Sequence, residues 1–182
     1  MKFNPTPLKG SYVIELSTIE DSRGWFARTF SKDEFVKETG NTKEWVQMNH
    51  SFTLIKGTIR GMHFQPLPFS EIKLVRCIAG EVFDVIVDLR KDSSTYLKWY
   101  GTILSAENKK MMYIAEGFAH GFQTLSQKAE LIYHHSEFYN PNAESGIKYN
   151  DTAVNIQWPI EVTEISERDK NHPLIDSTFK AS

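Results

Sequence analysis

Between residues 73 and 139 the chain alternates short apolar runs, rich in branched and aromatic side chains, with turn signals: 73–79, 82–89, 96–105, 110–115, 121–125 and 129–139. Runs of that length and composition predict β-strands. Gly80-Glu81 is short enough to join the first two runs as a hairpin, and residues 90–95 read as a polar turn. Within 82–89, alternation places Asp84 and Asp88 on one strand face with Val82 and Ile86, opposite Phe83, Val85, Val87 and Leu89. One face then goes to the core, and the other looks at solvent or a cavity. A single short surface helix is marked, with Ser31 as its cap, Glu34 completing a capping box, Phe35 and Val36 on its apolar side and Gly40 at its end. Many closely spaced strands with few helices predict a mainly β fold, an antiparallel sandwich or jelly roll.

No internal repeat, low-complexity tract or Gly/Ser linker interrupts the pattern. With 182 residues the expectation is one domain spanning 1–182, its polar tail after Trp158-Pro159 wrapping the body. A net charge of -2 with 24% charged residues is an ordinary globular balance and gives no sign of a nucleic-acid binder. Cys77, the only cysteine, excludes an intramolecular disulfide and reads as a core thiol. The start, Met1-Lys2-Phe3-Asn4-Pro5, lacks the apolar stretch of a signal peptide, and no apolar run reaches membrane-spanning length. A soluble cytoplasmic protein without a membrane partner is expected.

The stretch with most chemical content is Gln47-Met48-Asn49-His50-Ser51, followed by Ile59-Arg60-Gly61-Met62-His63-Phe64-Gln65 and Lys73. In an extended segment Gln47, Asn49 and Ser51 form a polar row, and Gly61 lets backbone approach a ligand closely. The competing reading is a polar strand at a sheet edge. His63 faces away from Met62 and Phe64; a lone histidine there is more often structural, but Arg60 and Lys73 supply cations nearby. Metal-ligand spacing is missing: the segment is His63-Phe64-Gln65, with no His-x-His, and adjacent His134 and His135 point to opposite faces of a strand. His63 and His120 remain able to meet in space.

Taken together with Asp21-Ser22-Arg23-Gly24-Trp25-Phe26, Lys73-Leu74-Val75-Arg76, Gly80-Glu81-Val82-Phe83-Asp84-Val85, Glu116-Gly117-Phe118-Ala119-His120-Gly121-Phe122, Tyr133 and Ser166-Glu167-Arg168-Asp169, these motifs resemble the dTDP-4-dehydrorhamnose 3,5-epimerases, cupin-type dTDP-sugar epimerases. The resemblance runs over nearly the whole chain. It implies a cupin-type jelly roll, an isomerase needing no cofactor and no metal, a nucleotide-sugar substrate and a homodimer. It further implies that His63 is the general base, Asp169 its paired carboxylate, Tyr133 the general acid and Lys73 the contact to the ketone. Arg23, Arg28, Gln47, Asn49, Arg60, His120, Tyr139, Glu144 and Arg168 fall on or beside positions that meet the nucleotide-sugar.

The chemistry of these side chains agrees with such roles. A carbon-bound proton beside a ketone becomes removable when the enolate oxygen is stabilised, and Lys73 supplies a cation for it. His63 accepts a proton near neutral pH, a carboxylate on its other nitrogen fixes the tautomer, and a phenol delivers a proton from the opposite face. Bland readings stand beside each: Ser166 to Asp169 fits a helical capping box, Tyr133 a half-buried strand aromatic, and the cations solvated surface charge. The chain also departs from the family's spelling. Arg28 stands where a substrate-binding glutamate is common, and Arg168 where lysine is usual. Substrate identity is thereby less fixed than reaction type. The rivals are a single-centre epimerase or 3,4-ketoisomerase, a non-catalytic sugar-binding cupin, and a metal-dependent oxygenase of the same fold.

Overall fold

The computed structural model describes residues 1–176 and 179. Its strands are β1 (Lys2–Pro5), β2 (Tyr12–Glu15), β3 (Ile19–Asp21), β4 (Gly24–Phe26), β5 (Gln47–Thr53), β6 (Thr58–Phe64) and β7 (Lys73–Ala79). They continue as β8 (Glu81–Asp88), β9 (Trp99–Ser105), β10 (Met111–Ile114), β11 (Phe118–Thr124), β12 (Ala129–His135), β13 (Ser145–Gly146) and β14 (Glu164–Ile165). Two short helices, α1 (Lys32–Thr39) and α2 (Glu167–Lys170), complete the described elements.

Two sheets face each other. The first runs β1-β2-β10-β7-β12-β5, the second β13-β6-β11-β8-β9 with β14 alongside β6, and β3 pairs only with β4 as a separate hairpin. Pairings within both large sheets are antiparallel except for β14 on β6, as expected of a cupin-type jelly roll. The inter-sheet core is built from the inward faces of both: Val75, Cys77, Met112 and Leu131 from the first, Val82, Ile86, Leu104 and Phe122 from the second. Cys77 is buried, as its setting in the sequence suggested, and burial raises its thiol to about 11, which leaves it unreactive.

Two local expectations are corrected. Gly80-Glu81 does not close a hairpin, because β7 and β8 lie in different sheets. Gly80 instead turns the corner between layers at φ 74°, where a Cβ would lie 2.1 Å from the Lys128 carbonyl oxygen. Nor does either face of β8 look at bulk solvent. Val82 and Ile86 enter the inter-sheet core, while Val85, Val87 and Leu89 pack under the chain that follows β13, with Ile147, Val154, Ile156 and Trp158 covering them. Beyond that cover, Ile175 and Phe179 of the polar tail pack against the same cluster.

The first sheet's outer face is partly covered by α1, whose Phe35 packs with Ile14, Leu74, Met111 and Tyr113. Gly40 ends α1 in the left-handed region at φ 72°. The capping box at its start does not form. Ser31 makes no side-chain cap bond, and Glu34 is drawn away by the Met1 ammonium at 3.1 Å and Arg28 at 3.2 Å. Two full charges outcompete one backbone N–H for the carboxylate.

Candidate active site

At one end of the sandwich the apolar core gives way to a cavity of about 450 Å³ whose walls come from both sheets. The first sheet contributes Gln47, Asn49 and Ser51 of β5, Lys73 of β7, and Tyr133 and His135 of β12. From the second come Arg60 and His63 of β6 and His120 of β11, closed over by Tyr139, Glu144, Arg168 and Asp169. The period of two explains the selection: Met62 and Phe64 point into the outer cluster of the second sheet, so His63 between them must point inward.

His63 meets Asp169 there, Nε2 to Oδ1 at 2.9 Å. Oδ2 of Asp169 accepts from the Gly61 backbone N–H at 3.0 Å, so one carboxylate is anchored to the strand that carries the histidine. Asp169 reaches this place from α2, where its own N–H donates to Ser166 Oγ at 3.1 Å. The cap and the dyad are therefore both real: the backbone of Asp169 serves the helix start and its side chain serves the imidazole. Arg168 donates from Nε to Asp169 Oδ1 at 3.1 Å, and its NH2 approaches His63 Nε2 at 3.3 Å. Because a guanidinium only donates, the shorter Asp169 contact takes the Nε2 proton, which assigns Nδ1 as the nitrogen able to accept one.

Burial holds His63 below the ordinary histidine range; Asp169 pulls upward, while Lys73 and Arg168 push down. An imidazole so placed is in its neutral, basic form at neutral pH. For Asp169, burial works to raise the pKa, and the His172 and His63 imidazoles with the Gly61 N–H more than offset it, so the group stays ionised. Tyr133, half-buried on the facing sheet, is pushed up by desolvation, and its hydroxyl lies 2.7 Å from Ser51 Oγ. It is a phenol that keeps its proton until a stronger base is generated beside it.

Lys73 sits at the cavity floor, Nζ 3.5 Å from the His63 carbonyl oxygen and 3.1 Å from Glu71 Oε1. His120 is the cross-strand neighbour of His63 and donates from Nε2 to the fully buried Asp84 at 2.8 Å. The two histidines thus line one wall without touching a common partner. Arg60 is held by Thr53 Oγ1 at 2.9 Å. At the rim, Glu144 accepts from Tyr139 Oη at 2.8 Å and from Arg168 NH1 at 2.9 Å, which ties three expected substrate contacts into one polar edge.

Two expected contacts are not in this cavity. Arg23 lies in the β3–β4 hairpin region, ion-paired to Asp21 at 2.5 Å with its side chain 87% exposed. Arg28 is spent on Glu34. The physical reason is that, among the described strands, β3 and β4 pair only with each other and join neither large sheet. Gly61 also serves a different end from the one its sequence suggested. At φ 132° it lies against Gly121, and a Cβ there would fall 2.5 Å from the Gly121 Cα, so the close approach is strand to strand.

Three residues of the site were not placed in it from the sequence. Glu71 and His135 meet in the cavity wall, Nδ1 donating to Oε2 at 2.7 Å; their signal was the period of two, since Glu71 precedes Lys73, and His135 follows Tyr133, on the same face. His172 packs edge-on against the His63 ring, centroids 5.6 Å apart, with its Nε2 3.6 Å from the same Asp169 Oδ1. His63, Asp169 and His172 hold possible ligand atoms within 4.8 Å of one another, a grouping that no spacing rule reveals because residues 63 and 169 come from distant strands and helices. The Arg168 guanidinium already on that carboxylate opposes a second cation there.

The family model for dTDP-4-dehydrorhamnose 3,5-epimerase matches residues 5–177. A curated dTDP-4-dehydrorhamnose 3,5-epimerase from Shigella flexneri is 45% identical over 175 residues, covering 96% of each chain. Among solved structures, the dTDP-4-dehydrorhamnose 3,5-epimerase of Elizabethkingia anophelis aligns at 43% identity with a TM-score of 0.92, covering 96% of both chains. A Legionella pneumophila epimerase in complex with dTDP-4-keto-L-rhamnose aligns at 38% identity and TM-score 0.90, over 95% of this chain and 92% of that one.

Proposed function

This chain belongs to the dTDP-4-dehydrorhamnose 3,5-epimerase family, and we propose that it inverts carbons 3 and 5 of a dTDP-4-keto-6-deoxyhexose, with His63 as base and Tyr133 as acid. The observation that carries this reading is the placement of those two groups on facing sheets of one cavity, β6 and β12. Inversion at carbon requires a proton to leave from one face and return to the other, and a sandwich with a base on one wall and an acid on the opposite wall meets that requirement.

In this account Nδ1 of His63 takes the proton beside the ketone, and Asp169 stabilises the imidazolium through Nε2, as the aspartate does in a catalytic triad. Lys73 neutralises the charge that develops on the ketone oxygen. Tyr133 then protonates carbon from the facing wall, with Ser51 positioned to steady the phenol. The enolate relays the electron pair by itself, so no oxidant or reductant enters the balance. Gln47, Asn49, Arg60, His120, Tyr139, Glu144 and Arg168 line the same cavity and bind the rest of the nucleotide-sugar. The reaction feeds deoxysugar synthesis of the dTDP-rhamnose type, in one domain acting in the cytoplasm; among the described residues no helix is long and apolar enough to cross a membrane.

Arg23 and Arg28 belong to this site through a second copy of the chain. The β3–β4 hairpin presents Ile19, Trp25 and Phe26 to solvent, and the outer face of β5 exposes Met48 and Phe52, apolar surface that a homodimer would cover. A hairpin reaching from one copy to the cavity of the other would deliver those arginines. Mixing inactive His63→Ala protein with an Arg23→Ala variant tests this, because a shared site regenerates one intact centre per mixed dimer. Activity recovered on mixing supports it, and no recovery with dimers exchanging overturns it.

The reaction itself is tested by incubation with dTDP-4-keto-6-deoxyglucose in deuterated water, following label at carbons 3 and 5 by NMR. Label at both carbons is expected, and His63→Ala should lose it while unfolding at the wild-type temperature. Label at carbon 3 alone would reduce the activity to a single centre, and none at either, with substrate bound, would end the epimerase reading.

A further inference from the structure

A continuous hydrogen-bond chain runs through the first sheet's side of the cavity. The Tyr139 backbone N–H donates to Gln47 Oε1 at 3.1 Å, Gln47 Nε2 to Asn49 Oδ1 at 3.1 Å, and Asn49 Nδ2 to His135 Nε2 at 3.3 Å. From there His135 Nδ1 donates to Glu71 Oε2 at 2.7 Å, and Lys73 Nζ pairs with Glu71 Oε1 at 3.1 Å. Every donor points the same way, toward Glu71, and the lysine meets the same carboxylate from the other side.

Glu71 is the only acceptor-only member of the chain, and its side chain is 9% exposed. A buried carboxylate is costly unless paired, and this one is satisfied by two donors at once. An amide in its place would offer one acceptor and one N–H₂ group to two donors, so one contact must break. His135 is equally constrained: with Nδ1 donating to Glu71, only Nε2 remains to accept from Asn49.

We propose that Glu71 and His135 are positioning residues that lock the ketone-polarising Lys73 to the substrate-binding row of Gln47 and Asn49, so that correct seating of the nucleotide-sugar and correct aim of the ammonium are one event. Neither residue touches the reacting carbons in this account; both act through Lys73 and Asn49. The inference rests on the epimerase reading, and it assigns to that reading the part of the cavity wall whose ionisable groups it leaves idle. Misplacing a catalytic group by about 1 Å costs on the order of 100-fold in rate. Release of Lys73 from its anchor is a displacement of that scale.

The test compares Glu71→Gln and His135→Gln with the wild type in three measurements: deuterium incorporation from substrate, dTDP affinity by titration calorimetry, and thermal unfolding. The expected result is that exchange slows roughly 10- to 100-fold in Glu71→Gln and less in His135→Gln, while dTDP affinity moves less than about threefold. A double-mutant cycle between Asn49→Ala and Glu71→Gln should be non-additive in kcat, and additive once His135 is also replaced. Exchange at the wild-type rate in both variants overturns the inference. So does a loss of exchange that merely follows a loss of dTDP affinity and of folded protein, since that marks a structural role. If the wild type itself incorporates no label, the epimerase reading fails first, and the two failures are told apart by that control.

Discussion

Asp169 carries three duties with one side chain and one backbone N–H: it orients His63, ties down Gly61 and starts α2. The competition between a helix-start residue and a partner of His63, open from the sequence, dissolves because the two contacts use different atoms. Its company of charges has a consequence for acid stability. Glu71 is held at about 2 against an ordinary 4.5: burial works to raise it, and Lys73 and His135 together more than offset that. The unfolded chain therefore takes up that proton first as pH falls, so the stabilisation is complete above pH 4.5 and is lost between about 4.5 and 2. Asp169, also lowered, acts in the same direction, and His63, lowered by burial, starts the decline earlier, below its ordinary 6.5. Urea unfolding across pH 7 to 3 should show stability falling throughout, with a Glu71 share of about 2 kcal/mol over that range that is missing in Glu71→Gln. Equal acid sensitivity of the two proteins would remove the buried carboxylate from the account.

At the level of elements, the period of two made most of the site readable. Inward Gln47, Asn49 and Ser51 on β5, and inward His63 between Met62 and Phe64 on β6, follow from alternation alone. What alternation does not carry is which sheet a strand joins. Gly80-Glu81 has the length of a hairpin, yet the chain crosses from one layer to the other there, a choice made by packing of Val82 and Ile86 against Val75 and Cys77 rather than by the turn. Partners far apart in sequence were equally hidden, as with Glu71 and His135. The close crossing of β6 and β11 shows how tightly the frame is set. Gly61→Ala would force a Cβ to 2.5 Å from the Gly121 Cα and 2.9 Å from the His120 carbonyl, both backbone atoms, at a φ that alanine resists. A loss of at least about 3 kcal/mol is expected in chemical denaturation. A variant within 1 kcal/mol of wild type, by about the error of such measurements, would show that the crossing yields.

Across the whole molecule, the jelly roll supplies two facing walls to one cavity, and the proposed chemistry divides between them: His63 and Asp169 on one, Tyr133 and Lys73 on the other. The family resemblance implied a role for each of these residues one by one, but only the fold shows that His63 and Tyr133 stand on facing sheets. Arg28, the departure from the family's spelling, lies outside this chain's own cavity and is paired with Glu34, so it would meet a substrate only through the proposed second copy. The division of labour between walls is tested most directly by Tyr133→Phe in deuterated water with dTDP-4-keto-6-deoxyglucose. With the acid removed and the base intact, His63 can still take a proton and return a deuteron to the same face. The account predicts that label continues to enter at carbon 3 while inverted product falls by roughly 100-fold or more. Inversion at the wild-type rate in Tyr133→Phe would contradict it.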